Sequence, residues 1–440
     1  MIILGIETSC DETALALIET RDQRSTLVSK RSSGDVLEYR IIESLVHSQA
    51  ELHSAYGGVF PNLAKREHSK NLLPLLEKLL NKAAPSIEIK NGSFELNETL
   101  KSIFASLGGN NTDLIQSFTD AEKTGHATFL NIIPNIDLVA VTEGPGLEPA
   151  LWVGINFART IGALWNIPVM PINHMEGHVV GSLLQSDKPY GTWQTLKPVP
   201  LPSLALLISG GHTELVKIEG NDSNGAQTDH GTNDKPFKYT IIGQTKDDAV
   251  GEAFDKVARL LDLPYPGGPH ISKLAHEARE KNIPAPVKLP RPMINSGDLD
   301  FSFSGLKTAV LYAVRKATGV ETNLNDSTNA NLKTLTYDFR AGLAREFEDA
   351  VSETLNTKLR RAIDECGSKA LIVGGGVSAN RLLRETFSKT AKENDIPIYL
   401  PDTHVSGDNA LMIALVAASQ STFTNSCKRP LRADGTKSLL

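Results

Sequence analysis

The chain has 440 residues, 40% hydrophobic and 22% charged, with 34 Gly and 23 Pro. These ordinary values exclude long disorder, a collagen and a disulfide scaffold; at roughly 150 residues per domain the length gives a prior of about three domains, or two large lobes, ample for a sizeable core. With 45 Lys and Arg against 51 Asp and Glu, the formal net charge is -6, so a generically basic nucleic-acid binder is excluded and any RNA contact must come from a local basic patch.

The N-terminus enters a strand-like run at once, and neither a secretory signal nor an Arg-rich transit peptide is expected. Residues 1–8 read as a buried strand, the polar turn Ser9-Cys10-Asp11-Glu12 follows, and Ala14 to Ile18 form a second strand. This is a hairpin with a carboxylate-bearing tip. Residues 65–82 read as a helix that Pro74 should kink or start. The Asn-, Ser-, Gly- and Thr-rich stretch 83–131 reads as an insertion with a little helix rather than as core.

A parallel-type strand is predicted over Ile136–Thr142, closed by Glu143-Gly144-Pro145-Gly146, then a helix over 150–165. The strand Pro168–Ile172 runs into His174-Met175-Glu176-Gly177-His178. The Pro-rich stretch 185–201 is a candidate lobe boundary. Leu204–Ile208 and Glu214–Ile218 are strands joined by Ser209-Gly210-Gly211-His212-Thr213, and 219–236 is a second polar insertion. Helices are predicted over 248–262 and 335–365. The strand Lys369–Val373 ends in Gly374-Gly375-Gly376; a helix from about Ser378 to Lys392, the strand Ile396–Leu400 and a last helix opened by Asp408-Asn409-Ala410 complete the chain. Strands alternating with helices indicate an α/β class. The strand–turn–strand unit occurs twice, at 1–18 and 203–218, which points to two related lobes with a ligand between them.

Cys10, Cys366 and Cys427 show no C-x-x-C spacing, so a reducing compartment is expected. No uncharged apolar run is long enough to span a bilayer. The expectation is a soluble, intracellular protein.

His174 and His178 stand at i and i+4, one face of a helix, where two imidazoles can share one metal ion. The residues alone leave a metal pair and two ordinary helix histidines equally open. Glu176 does not share that face, unlike the Glu of the peptidase pattern H-E-x-x-H, so a metalloprotease is the weaker alternative. Asp408 could be a third ligand; an Asp before a helix is more commonly an N-cap. The glycine turns at Ser209-Gly210-Gly211 and Gly374-Gly375-Gly376 could bring backbone N–H groups to an anion, although glycine turns after strands also serve packing. Asp255 could accept from ribose hydroxyls, or be a solvated carboxylate or an ion-pair partner of Arg259.

The strings GIETSCDET (5–13), NHMEGH (173–178), LISGGHTEL (207–215), GEAFDKVARLL (251–261), YPGGP (265–269), FSFSGLKTAV (301–310), GGGVSANRLLR (374–384) and DNALMIA (408–414) occur in one order. Together they resemble the bacterial TsaD type of tRNA N6-adenosine threonylcarbamoyltransferases, formerly called sialoglycoprotein endopeptidases. The resemblance implies the actin-like ATPase fold: two duplicated α/β lobes with a central cleft, an N-terminal lobe of 1–190 completed by the C-terminal helix of about 409–440, and a C-terminal lobe of 191–408.

It further implies transfer of a threonylcarbamoyl group from threonylcarbamoyl-AMP to N6 of the adenosine 3′ of the anticodon, in tRNAs reading codons that begin with A, with AMP leaving. By matching residue, His174, His178 and Asp408 would be metal ligands. Leu207, Ile208, Ser209, Gly210, Gly211, Asp255, Gly268 and Asn380 would contact the substrate. The family metal is usually given as iron; two His and one carboxylate suit Fe2+ or Zn2+ better than Mg2+. Asp11 is the candidate base for the N6 proton, with turn stabilisation as its alternative role.

Bacterial relatives imply two helper proteins, a paralogous subunit and a small ATPase, in the cytoplasm; mitochondrial relatives imply a homodimer. A non-catalytic actin-like nucleotide-binding protein is the other alternative, and it leaves the two histidines without a role. Pro149 departs from the family's usual Gly. Lys358, Arg360, Arg361, Arg381 and Arg384 are the local basic candidates for tRNA, against a plain solvated helix face.

Overall fold

The computed structural model describes residues 1–21, 37–91, 96–107, 112–123, 132–184, 188–220, 237–319, 335–420 and 430–439. Most of the second predicted insertion, and Cys427, lie outside the described residues. The first part of the chain runs β1 (Ile2–Glu7), β2 (Glu12–Thr20), β3 (Glu38–Ser48), α1 (Ala50–Ser54), α2 (Pro61–Ala83), β4 (Ile89–Asn91), α3 (Leu96–Leu107), α4 (Thr112–Lys123), β5 (Ile132–Pro134), β6 (Leu138–Gly144), α5 (Glu148–Trp165), β7 (Val169–Asn173), α6 (His174–Gly181) and β8 (Trp193–Thr195). The second part runs β9 (Ser203–Ile208), β10 (Thr213–Gly220), β11 (Phe237–Gln244), α7 (Val250–Leu260), α8 (Gly267–Glu280), α9 (Ser304–Thr318), α10 (Tyr337–Cys366), β12 (Leu371–Gly374), a 3-10 turn (Gly376–Ala379), α11 (Arg381–Glu393), β13 (Ile398–Tyr399) and α12 (Ala410–Ser419).

Two sheets share one plan. The first has the order β7-β6-β1-β2-β3-β8 and the second β11-β10-β9-β12-β13. In each, an antiparallel meander (β1-β2-β3 or β9-β10-β11) carries two parallel strands beside its first strand. The repeated order is the duplication expected of an actin-like ATPase fold, and it extends the sequence repeat from two strands to five. The third strand of each meander was not predicted. In β3 the burial is irregular and its end is exposed, so apolar alternation is weak there.

The sheets are joined through α6 and α12. Buried residues of the first sheet (Ile3, Leu138) and of the second (Leu207, Ile372) belong to one apolar cluster with Met175, Val179, Met412 and Leu415. Every residue of α12 is buried, as expected for a helix apolar on all sides. Gly177 and Gly181 let these helices approach closely: a Cβ at either would press on Met412.

One expectation needs correction. Stretch 83–131 is not outside the core: Leu100, Leu114 and Phe118 are buried against Leu72, Phe157 and Ile161, and β4 pairs with β5 near its two ends. Pro74 lies inside α2 and does not start it; Pro61 occupies its first position, where a missing N–H costs nothing. Pro149 is likewise in the first turn of α5, so that helix begins normally. No described helix is long and apolar enough to cross a membrane.

Candidate metal centre and substrate cleft

Asn173 caps α6, its side chain accepting from the Met175 and Glu176 backbone N–H groups. This fixes the first turn, from which His174 and His178 project with ring centroids 4.6 Å apart. Both are buried. Asp408 meets them from the loop before α12. Its Oδ1 lies 3.4 Å from His174 Nε2 and 3.2 Å from His178 Nε2. The capping role open to Asp408 is taken instead by Asn409, which accepts from Met412 N–H, and this frees the carboxylate. Burial alone would favour a neutral Asp408, but the two imidazoles hold its carboxyl well below the usual range. Burial also opposes charge on His174; Asp408 and Glu7 override it and push that imidazole well up.

His174, His178 and Asp408 are the one group of metal-ligand type found among the described residues, with ligand atoms within 4.8 Å of one another. The donors fit a divalent ion. The buried His178 Nε2 makes no well-formed hydrogen bond; its polar neighbour is the Asp408 carboxylate at 3.2 Å, a pairing that a shared cation would satisfy. Ligand atoms at about 2.1 Å in a tetrahedral shell stand roughly 3.4 Å apart, close to the observed separations. Glu176 does not take part: it turns away to accept from the Tyr239 hydroxyl at 3.3 Å, which removes the carboxylate a metalloprotease would need beside the pair.

The tip between β1 and β2 closes one side. Ser9 Oγ is 3.3 Å from His174 Nδ1 and donates to Asp408 Oδ2 at 3.5 Å. The loop at Gly144–Gly146 folds over it; a Cβ on Gly146 would strike Ser9, and Leu147 N–H donates to Ser9 O. Asp11 is buried, with its carbonyl accepting from Gln49 N–H. Its neighbour Glu12 is pushed well up by burial and by the Asp11 and Asp408 carboxylates. The Tyr265 phenol is pushed up by burial and then by Asp11 and Asp255, so the tip faces α7 and the turn before α8.

The other side comes from the second sheet. Ser209 bridges its own turn, its N–H donating to His212 O and its Oγ accepting from His212 N–H. Leu207 and Ile208 are buried in β9. A Cβ on Gly210, Gly211 or Gly268 would meet nothing within 4 Å, and none has a left-handed φ. Neither close packing nor backbone conformation demands glycine there. Gly374 and Gly375 differ, because a Cβ on them would meet the His178 and Ile208 carbonyls. Their role is the close packing of β12 against α6 and β9.

Asp255 is half-buried and forms no salt bridge with Arg259. Its Oδ1 accepts from Gly267 N–H at 2.7 Å, while Arg259 reaches the Gly57 carbonyl. Burial raises the Asp255 carboxyl to about 6, against the backbone N–H groups of Gly267 and Gly268. Asn380 caps α11 through Leu383 N–H and donates to Glu348 at 2.7 Å.

Sequence reasoning did not single out Glu7, Ser9 or His212. His212 is held near 4 by burial and by His174 and His178, which places it beside the triad. The basic candidates are each bonded to other groups of the protein. Lys358 is buried and bonded to Ser296 and Asp298, a correction to its reading as a tRNA contact. Arg360, Arg361 and Arg381 pair with Glu393, Glu365 and Glu385, and Arg384 donates to the Ser378 and Pro401 carbonyls.

A family model described as "TsaD: tRNA N6-adenosine threonylcarbamoyltransferase" matches residues 40–91 and 130–415. A tRNA N6-adenosine threonylcarbamoyltransferase of Paraburkholderia xenovorans (strain LB400) is 38% identical over 418 residues, covering 95% of this chain and 92% of the relative. One of Variovorax paradoxus (strain S110) is 37% identical over 418 residues, covering 95% and 90%. Among solved structures, component A of the (R)-2-hydroxyglutaryl-CoA dehydratase of Acidaminococcus fermentans aligns with a TM-score of 0.40 at 10% identity, covering 96% of this chain and 99% of that one.

Proposed function

Since the chain belongs to the TsaD family of tRNA N6-adenosine threonylcarbamoyltransferases, we propose that its donor is threonylcarbamoyl-AMP and that transfer takes place where the β1–β2 tip, α6 and the Ser209–His212 turn meet. The acceptor is N6 of the adenosine 3′ of the anticodon, in tRNAs reading codons that begin with A. The N6–carbonyl bond forms, the carbonyl–phosphate anhydride bond breaks, AMP leaves with the electron pair, and a base takes the N6 proton.

The observation that carries this reading is the convergence of His174, His178 and Asp408 from α6 and the loop before α12. These three would hold one divalent metal, Fe2+ or Zn2+ by donor type. A metal there supplies Lewis acidity for orienting the donor's oxygens and stabilising negative charge. The chain's own groups do the rest. Backbone N–H groups of Gly210 and Gly211 receive the phosphate, beside Leu207, Ile208 and Ser209. Asp255 accepts from the ribose hydroxyls, and Gly268 leaves room for the nucleoside at the N-terminus of α8. Asn380, already fixed by Leu383 and Glu348, donates to the donor from α11. Adenine N6 is a poor nucleophile, so positioning carries most of the barrier reduction. Asp11, on the buried tip, takes the proton.

The two sheets are proposed as two lobes, the first spanning residues 1–190 and completed from about residue 409, the second spanning 191–408. The small β8 extends the first sheet within the Pro-rich junction. The enzyme is proposed to work in the bacterial cytoplasm with a paralogous subunit and a small ATPase as helpers; a mitochondrial homodimer is the alternative. Helpers are proposed to supply part of the tRNA grip. The test is incubation with threonylcarbamoyl-AMP and unmodified tRNA, followed by nucleoside mass spectrometry for the modified adenosine.

A further inference from the structure

We propose that Glu7 is a positioning residue that fixes His174 in its metal-binding tautomer, accepting a hydrogen bond from Nδ1–H so that Nε2 presents its lone pair toward Asp408 and His178. The inference rests on the metal reading of the triad and adds a residue to which that reading gave no role. Glu7 ends β1 and is fully buried. Its Oε2 lies 3.1 Å from His174 Nδ1 and also accepts from the Thr142 hydroxyl of β6. Its Oε1 accepts from Ser9 N–H. Both oxygens are therefore fixed by donors from separate segments, and no described Lys or Arg forms an ion pair with Glu7.

A buried carboxylate without a cation is costly. Here its neighbours are two neutral donors and one imidazole edge, an arrangement that directs its charge onto a single ring nitrogen. The Ser9 hydroxyl, 3.3 Å from the same nitrogen, has Asp408 Oδ2 to donate to; the closer Glu7, an acceptor-only group at Nδ1, leaves that nitrogen one role, donor. The opposite nitrogen then faces Asp408 Oδ1 at 3.4 Å. Outer carboxylates of this kind set the tautomer and raise the basicity of a ligating imidazole. Gln at position 7 has one acceptor oxygen and one NH2 group, so it cannot accept at both ends. Either Ser9 N–H or the Thr142–His174 side loses its partner.

Two measurements test this, neither of them activity. In 15N-histidine-labelled protein loaded with Zn2+, two-bond 1H–15N spectra should show His174 protonated at Nδ1 and zinc-shifted at Nε2. Titration of the metal-free protein with Co2+, read by its visible absorption, should show roughly 10–100-fold weaker binding for Glu7→Gln, with circular dichroism and thermal midpoint retained. Zinc on Nδ1, or equal Co2+ affinity in a folded Glu7→Gln, would overturn the proposal. If that variant does not fold, the wild-type spectrum decides alone. Wild-type protein that binds no Co2+ would remove the metal reading as well, whereas binding that needs His174 and Asp408 but not Glu7 would remove this inference only.

Discussion

Oδ1 of Asp408 lies 3.2 Å from Nε2 of His178, although the two residues come from distant parts of the chain. Three local features bring them together. Asn173 and Asn409 cap the two helices, so neither site residue is spent on capping. Gly177 and Gly181 let α6 press against Met412 of α12. Gly5 lets the start of α12 sit directly on β1.

Asp408→Ala should weaken Zn2+ binding by more than the roughly 10–100-fold typical of an outer partner, because it removes a direct ligand. Calorimetric titration of the metal-free protein reads this. Affinity equal to wild type would mean that the two histidines are ordinary buried side chains.

Gly5→Ala places a methyl group against the Ala410 carbonyl oxygen, with Ala414 close behind. Overpacking of this kind costs about 1–3 kcal/mol. Urea unfolding should show that loss, and donor turnover should fall with it because α12 carries Asp408 away from the histidines. An unchanged unfolding midpoint would contradict the close packing of α12 on β1.

Asp255 supplies a pH signature. Burial lifts its carboxyl from 3.8 to about 6, so the folded state binds the extra proton between those values. Its contribution to stability is therefore full below 3.8 and lost as pH rises through about 6. Charged Asp255 is the form that accepts from ribose, so donor affinity should weaken below pH 6, approaching tenfold per pH unit for a one-proton requirement. Asp255→Asn should flatten both profiles, in urea unfolding and in donor KM. Wild-type-like pH dependence in that variant would exclude Asp255 from both effects.

Phe118→Ala tests whether the helices of the 83–131 stretch belong to the core. The ring is fully buried and tilted against Phe157 at 6.1 Å between centroids. Truncation should cost about 3–5 kcal/mol in chemical denaturation. A change near zero would restore this stretch to the status of a peripheral insertion.

Much of the fold was legible because its central strands are continuous apolar runs ended by glycine or polar turns, as at Ile2–Glu7, Leu138–Gly144 and Ser203–Ile208. The strand β3 was not, since its polar residues alternate irregularly and its burial comes from neighbours. The helices near Phe118 were read as a little helix outside the core because their polar composition outweighed a few apolar residues, which pack only once α2 and α5 are in place. At the site, the i, i+4 spacing exposed His174 and His178, but spacing left metal and packing equally open. What favours the metal reading is the approach of Asp408, a long-range contact invisible to local pattern. Glu7 and Ser9 were hidden for the opposite reason. They read as the end of a strand and a turn, and acquire chemistry only from the ring that folds against them. Lys358 misled because a charged residue on a long helix is usually solvated; here Ser296 and Asp298 cover it.

The most direct test compares wild-type protein with His174→Ala, each incubated with threonylcarbamoyl-AMP, unmodified tRNA and the two helper proteins, with nucleosides analysed by mass spectrometry. The wild type should form N6-threonylcarbamoyladenosine and release AMP, and His174→Ala should form none. Modified adenosine from His174→Ala at the wild-type rate, or none from the wild type with helpers present, would contradict the assignment of transfer to this centre.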